Sequence, residues 1–301
     1  MINLRYHVVT LMAVFLALGL GVLFGASFID QSTVTALKIS QQRLSERNKA
    51  LRDRVVSLER ESDSLKSFAA STRDALIREV LLGRSVVLVA FESSDEDSVN
   101  AAADALVKAG GSVEGSIRLS GDVQLESLES RRRVASLLGS ESSSANRLFD
   151  LLVARLAEAL SGKQPGFIKS LVDGGLATVQ EVAGGKLRPL EELATVDGAV
   201  VIVPAGQSTI NRRVAVPLAR ALSQSESKTA VVERGSEDLA LVGAVRKQGV
   251  TVVTVDGIEG PIGQAGLALG LKAAFEGAFG HYGTGEGASA VLPEPRPPGE
   301  G

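Results

Sequence analysis

Cysteine is absent from this chain of 301 residues, and histidine and methionine appear only as His7, His281, Met1 and Met12. The first absence excludes disulfides, cysteine-ligated zinc, iron–sulfur clusters and thiol catalysis together. The second leaves few of the imidazole and soft sulfur ligands that transition metals prefer. Tryptophan is also missing and aromatics make up 4% of the sequence, which argues against a stacking platform for bases or sugars. Charge of one sign is not in excess: 32 basic and 35 acidic residues sum to a formal −3, far from the strongly basic face of a nucleic-acid binder. The remainder is 45% hydrophobic and 22% charged, enough for a sizeable core in one large or two modest domains and too apolar for a chain dominated by disorder.

Residues 8–29 carry no charge, and 22 helical residues at about 1.5 Å each cover a hydrocarbon core of about 30 Å. Gly25-Ala26-Ser27 would also suit cleavage of a secretory signal. The apolar run, however, exceeds the roughly 7–15 residues usual in such signals, and Arg5 alone supplies a side-chain positive charge ahead of it, so a retained transmembrane anchor is expected over residues 1–29. Ala13, Ala17, Gly21 and Gly25 recur every four residues, which places them on one helix face where a second helix could approach closely. Lys38, Arg43, Arg47 and Lys49 outnumber Arg5, which by charge alone would keep the long part of the chain in the cytoplasm. Long domains cross largely regardless of such charges, so the flanks leave the orientation open.

A coiled coil is expected over residues 30–82. Leu37, Leu44, Leu51, Leu58 and Leu65 stand seven residues apart in a region without Gly or Pro, the d positions of five heptads. The a positions are Val34, Gln41, Asn48, Val55 and Ser62, and Asn48 is the kind of buried polar residue that sets register and favours a parallel homodimer. Across a parallel pair Arg54 meets Glu59 and Glu61 meets Lys66, while Arg47 faces Arg52 unfavourably. A helix folded back on its own domain would need a wider apolar face than this stripe. At helical rise, residues 31–68 amount to a spacer of about 55 Å.

From residue 83 to 283 short β-branched runs alternate with Ala/Leu-rich stretches, the pattern of an α/β domain with a mainly parallel sheet, Rossmann-like or flavodoxin-like. Strands are expected at 86–91, 113–119, 199–203, 229–232 and 250–255, and helices at 97–109, 125–138, 145–160, 209–223 and 237–247. Three places invite chemistry. The loop Asp256-Gly257-Ile258-Glu259-Gly260-Pro261-Ile262-Gly263 opens a helix and could receive a phosphate, although it lacks nucleotide-loop spacing and fits a plain turn with Pro at the first helical position. Pro204-Ala205-Gly206-Gln207-Ser208-Thr209 lies at a carboxyl strand end but has no nucleophile elbow, and a serine triad would rest on the distant His281. Glu92, Asp95, Glu96 and Asp97 could hold a hard cation, or simply form an acidic helix start. No catalytic residue, cofactor or metal ligand is singled out. Residues 284–301, with Pro293, Pro295, Pro297 and Pro298, read as a disordered tail.

The start Met1-Ile2-Asn3-Leu4-Arg5-Tyr6-His7 leads into Val14-Phe15-Leu16-Ala17-Leu18-Gly19-Leu20-Gly21-Val22, and the domain closes on Gly280-His281-Tyr282-Gly283. This order of parts, from residue 1 to about 283, resembles the actinobacterial MctB family, including its SteB branch. The resemblance implies a single-pass protein of the cytoplasmic membrane with its large domain outside, in the cell envelope. For the family it implies copper transport across the mycobacterial outer membrane, and for the SteB branch a partner called SteA in envelope assembly and daughter-cell separation. One apolar helix encloses no pore, and copper(I) favours the Cys and Met that this chain lacks beyond its anchor. The expectation is therefore a non-enzymatic, dimeric scaffold that binds envelope or division partners, with a component of copper transport or copper homeostasis as the alternative.

Overall fold

The computed structural model describes residues 4–27, 31–164, 166–190, 192–193, 196–204, 209–225, 228–235 and 241–294. The chain divides into two compact units, Met1–Leu65 and Lys66–Gly301. Helix α1 (Leu4–Ser27) and the greater part of helix α2 (Gln31–Ile77) make up the first. Mostly apolar residues, rich in Leu and Ala, build α1, and its stretch Arg5–Gly25 is long and apolar enough to cross a membrane. Helix α2 runs 47 residues without a Gly or Pro to break it. It ends at Ile77, five residues short of the expected limit of 82, because Glu79 (φ 61°) and Gly83 (φ 76°) turn the chain and Leu81 donates its N–H to the Ala109 carbonyl at 2.8 Å.

The second unit is a mixed α/β domain built on seven strands. In chain order they are β1 (Ser85–Phe91), β2 (Ser112–Leu119), β3 (Ala177–Gln180), β4 (Gly198–Val203), β5 (Lys228–Glu233), β6 (Val253–Asp256) and β7 (His281–Tyr282). The sheet order is β3-β2-β1-β4-β5-β6-β7, and every pairing is parallel except β2 with β3. Between them run α3 (Glu96–Lys108), α4 (Leu128–Leu138), α5 (Ala145–Leu160), α6 (Gly166–Asp173), α7 (Thr209–Gln224), α8 (Val242–Lys247) and α9 (Pro261–Phe275). Strand side chains alternate between two cores. Val87, Val89 and Phe91 join the core under α4–α8, whereas Val86, Leu88 and Ala90 join the core under α3, α9 and the end of α2. Ile77 is fully buried in that second core and pins α2 to it, a contribution of about 1.5–3 kcal/mol.

Local differences from the sequence reading have local causes. Helix α4 starts at Leu128 because the Ser127 hydroxyl accepts the Ser130 N–H at 2.9 Å, and Leu125 before it adopts φ 59°. Strand β6 begins only at Val253, after a turn at Gly249 (φ 62°). Helix α8 begins at Val242, residues 236–240 lying outside those described. Helix α6 and the edge strands β3 and β7 are additions. The tail expected from residue 284 is corrected for residues 284–294, which fold back on β7: Gly283 donates to the Ala290 carbonyl at 3.1 Å, and Leu292 packs against the α3/α9 core. Residues 295–301 lie outside the described part.

Candidate functional site

Open parallel sheets bind ligands at the carboxyl ends of their strands, where the chain order reverses. Here that point lies between β1 and β4. The buried Ser94 occupies it, its hydroxyl accepting the Phe91 N–H at 3.0 Å and donating to the Ile202 carbonyl at 2.9 Å. Arg118, from β2, lies across the same ends, donating to the Ser94 carbonyl at 3.1 Å and pairing with Glu96 at 2.6 Å. One ion pair, Arg234 to Asp95 at 3.6 Å, joins the loop after β5 to the loop after β1.

Backbone N–H groups along this edge are the donors that hold a phosphate in nucleotide-binding relatives of such folds. Acidic side chains of the chain itself take them. Glu92 accepts from Gly121 at 2.7 Å, Asp95 from Ser98 at 2.8 Å, Glu233 from Val242 at 2.9 Å and Glu259 from Gly235 at 3.0 Å. Asp256 accepts from Thr284 at 2.8 Å and Gly285 at 3.1 Å. The acidic group after β1 thus acts as a helix start and loop tie: Asp95 caps α3, Glu96 holds Arg118, and Asp97 lies exposed in the first turn. Among the described residues no three His, Asp or Glu side chains come together as a metal site. In the loop after β6, Pro261 takes the first helical position behind Gly260, the plain-turn arrangement. Ser208 and the residues 205–207 lie outside the described part, and the His281 ring meets Thr254 Oγ1 at 3.0 Å.

The densest polar group centres on Arg246 of α8. Its guanidinium donates to Asp256 at 2.8 Å, Thr254 at 2.9 Å and the carbonyls of Tyr282 at 2.8 Å and Glu286 at 3.0 Å. Both charged side chains of the Arg246–Asp256 pair are buried, so these bonds offset a desolvation cost of several kcal/mol per ion. The pair explains Gly280-His281-Tyr282-Gly283. A side chain at Gly283, φ 123°, would strike the Asp256 carboxylate, and one at Gly280 would strike the Tyr282 ring. Glu233, paired with Asp256 in the strand register, is buried, one of its carboxylate oxygens has no hydrogen-bond partner among the described residues, and burial raises its pKa above the ordinary value. Burial and the Arg246 charge lower that of His281.

The positions singled out for association lie elsewhere. Leu37, Leu44, Asn48, Leu51, Val55, Leu58 and Leu65 share one face of α2, and all are exposed in the single chain. Ala13, Ala17, Gly21 and Gly25 are likewise exposed on α1. Arg246, Ser94, Arg118 and Glu233 escaped the sequence reading. The available signal was an acidic residue closing an apolar strand, as in Glu233 and Asp256.

A family model described as copper transport outer membrane protein, MctB, matches residues 1–293. Proteins named copper transporter MctB from Mycobacterium bovis and Mycobacterium tuberculosis are 28% identical over 310 residues, covering 97% of this chain and 99% of theirs. The Mycobacterium leprae protein of the same name is 27% identical over 318 residues, with the same coverage of each chain. The match takes in the apolar helix, the leucine helix, the whole sheet and the returning segment behind Gly283, and the chain belongs to the MctB family.

Proposed function

We propose that this chain is a component of copper transport or copper homeostasis in the cell envelope, held by α1 in the cytoplasmic membrane with its α/β unit outside. The observation that carries this reading is the end-to-end similarity to proteins named copper transporter MctB. Copper is the cargo, and the chain's own chemistry limits what it does with it. Sulfur ligands for copper(I) are confined to Met1 and Met12, and the polar groups at the carboxyl edge hold one another. A single helix encloses no path through a bilayer, and the described sheet is open and mainly parallel, with helices on both faces, unlike a closed antiparallel membrane barrel. The chain accordingly acts on copper through a partner that supplies the conduit. Cell-associated copper, measured in a deletion strain and its complemented parent over a range of external copper, tests this. A rise reversed by complementation is expected; equal copper content at every dose removes the copper role.

The leucine face of α2 favours a second reading, a non-enzymatic homodimeric scaffold that binds envelope or division partners as the SteB resemblance implies. Impaired daughter-cell separation in the deletion strain, at fixed copper and with unchanged copper content, would favour it over the first.

A further inference from the structure

We propose that the surface through which α2 pairs with a second, parallel copy of this chain continues past the leucine series into residues 66–77 of the α/β unit, with Thr72 and Leu76 facing the partner. The inference rests on the homodimer reading above and extends it. Helix α2 is unbroken to Ile77, so the heptad that places Leu65 at d places Ala69 at a, Thr72 at d and Leu76 at a. Leu76 is 45% exposed, while Ile77, one residue and about 100° round the helix, is fully buried. The α/β unit therefore takes one flank of this segment and leaves the other open. On the docked flank Arg73 bonds to the Gln264 side chain of α9 and lies 3.7 Å from Asp104 of α3, and Ile77 enters the core. Ala69 is half-covered, marking the border between the flanks. Thr72 and Leu76 remain open, and Phe68 beside them is 69% exposed.

A second copy is the occupant that fits. The repeat of seven already selects a helix in the same register, and Glu61 with the partner's Lys66 supplies an opposite-charge pair at the entry to the segment. An a-position leucine next to a docked flank then meets its own counterpart across the two-fold axis. Two copies joined this far hold the bases of their α/β units together, where pairing that stopped at Leu65 would leave them free to swing.

The absence of native cysteine makes the test direct. Single Leu51→Cys, Leu76→Cys and Ser71→Cys variants of the full chain, in membranes, are treated with the thiol oxidant diamide and separated without reductant. Facing a residues, such as Leu76, and facing d residues, such as Leu51, approach within disulfide reach in a parallel pair, and Ser71, on the outer face, does not. Leu76→Cys is expected to cross-link within about two-fold of Leu51→Cys and about ten-fold above Ser71→Cys. Cross-linking of Leu51→Cys with Leu76→Cys no better than Ser71→Cys overturns the extension and leaves the leucine dimer standing. Cross-linking of neither overturns both. Leu76 lies outside the core, so its replacement leaves the fold in place, which a melting curve matching the parent confirms.

Discussion

Apolar side chains on α2 and in the α/β unit follow opposite rules. Between Leu37 and Leu65 every leucine of the heptad series stands in solvent, whereas strands β1 and β4 bury nearly all of their surface. Polar groups reverse in the same way. The charges of α2 between residues 35 and 65 are exposed, whereas in the α/β unit Glu92, Asp95, Glu233 and Glu259 hold backbone N–H groups and Arg246 and Asp256 are sealed inside. One region covers its apolar side chains within a single chain, and the other leaves its leucine face open.

The comparison breaks most visibly if the leucine face is charged. Leu44→Asp, Leu51→Asp and Leu58→Asp together, in a fragment of residues 31–294, are expected to abolish dimers while the α/β unit melts as before. If α2 pairs through this face, each substitution removes a leucine worth about 2–5 kcal/mol there and adds a charge that pairing would bury. Light scattering reads the mass, and an unchanged dimer would refute the seam. The converse lesion is Asp256→Ala, which leaves Arg246 buried without its counter-ion. The expected cost to the α/β unit is about 3–5 kcal/mol with the dimer mass unaltered, measured by denaturant unfolding. A loss under about 1 kcal/mol would mean that the pair contributes little to holding residues 283–294.

Smaller changes sharpen the contrast. Asn48→Leu is expected to raise the melting temperature of the α2 pairing while allowing masses other than the dimer, since a polar a residue trades stability for specificity. An unaltered melting profile and mass would place Asn48 away from a buried seam. The smallest effect is at Glu233. Burial raises its folded pKa above the ordinary 4.5, so the folded state holds the proton to higher pH than the unfolded chain. Its contribution is thus most favourable below about pH 4.5 and is lost as pH rises through the folded value. Glu233→Gln should stabilise the unit at neutral pH and give no gain at pH 4, and equal gains at both would assign the effect to something other than this ionisation.

Legibility in the sequence followed the range of the interactions. Residues 86–91 and 199–203 could be read because a buried strand advertises itself as a continuous β-branched run. The long helix α2 could be read because a stretch without Gly or Pro and with leucines every seven residues needs no distant partner to be seen. The Arg246–Asp256 group could not, since its bonds span Thr254, Tyr282, Thr284 and Glu286, and no local pattern announces a backbone amide 28 residues away. Residues 284–294 looked like a tail for the same reason: Gly, Ser and Ala without periodicity are ordered here by the carboxylate they wrap. The acidic residues after β1 were visible as a group, but their role depended on Arg118, Gly121 and Arg234, which the fold alone brings near.

The returning segment also sets a clock. Ribosomes deliver a chain from its amino end, and domains fold as their parts emerge. Asp256 is made 28 and 29 residues before the amides of Thr284 and Gly285, and Arg246 40 residues before the carbonyl of Glu286, that complete their bonding; β6 waits for β7 to pair with its outer side, and β7 for Ala290. Until residues 281–290 emerge, the α/β unit lacks β7 at its edge and carries a charge pair only partly satisfied. The unit therefore locks only once the segment that wraps Asp256 has joined it.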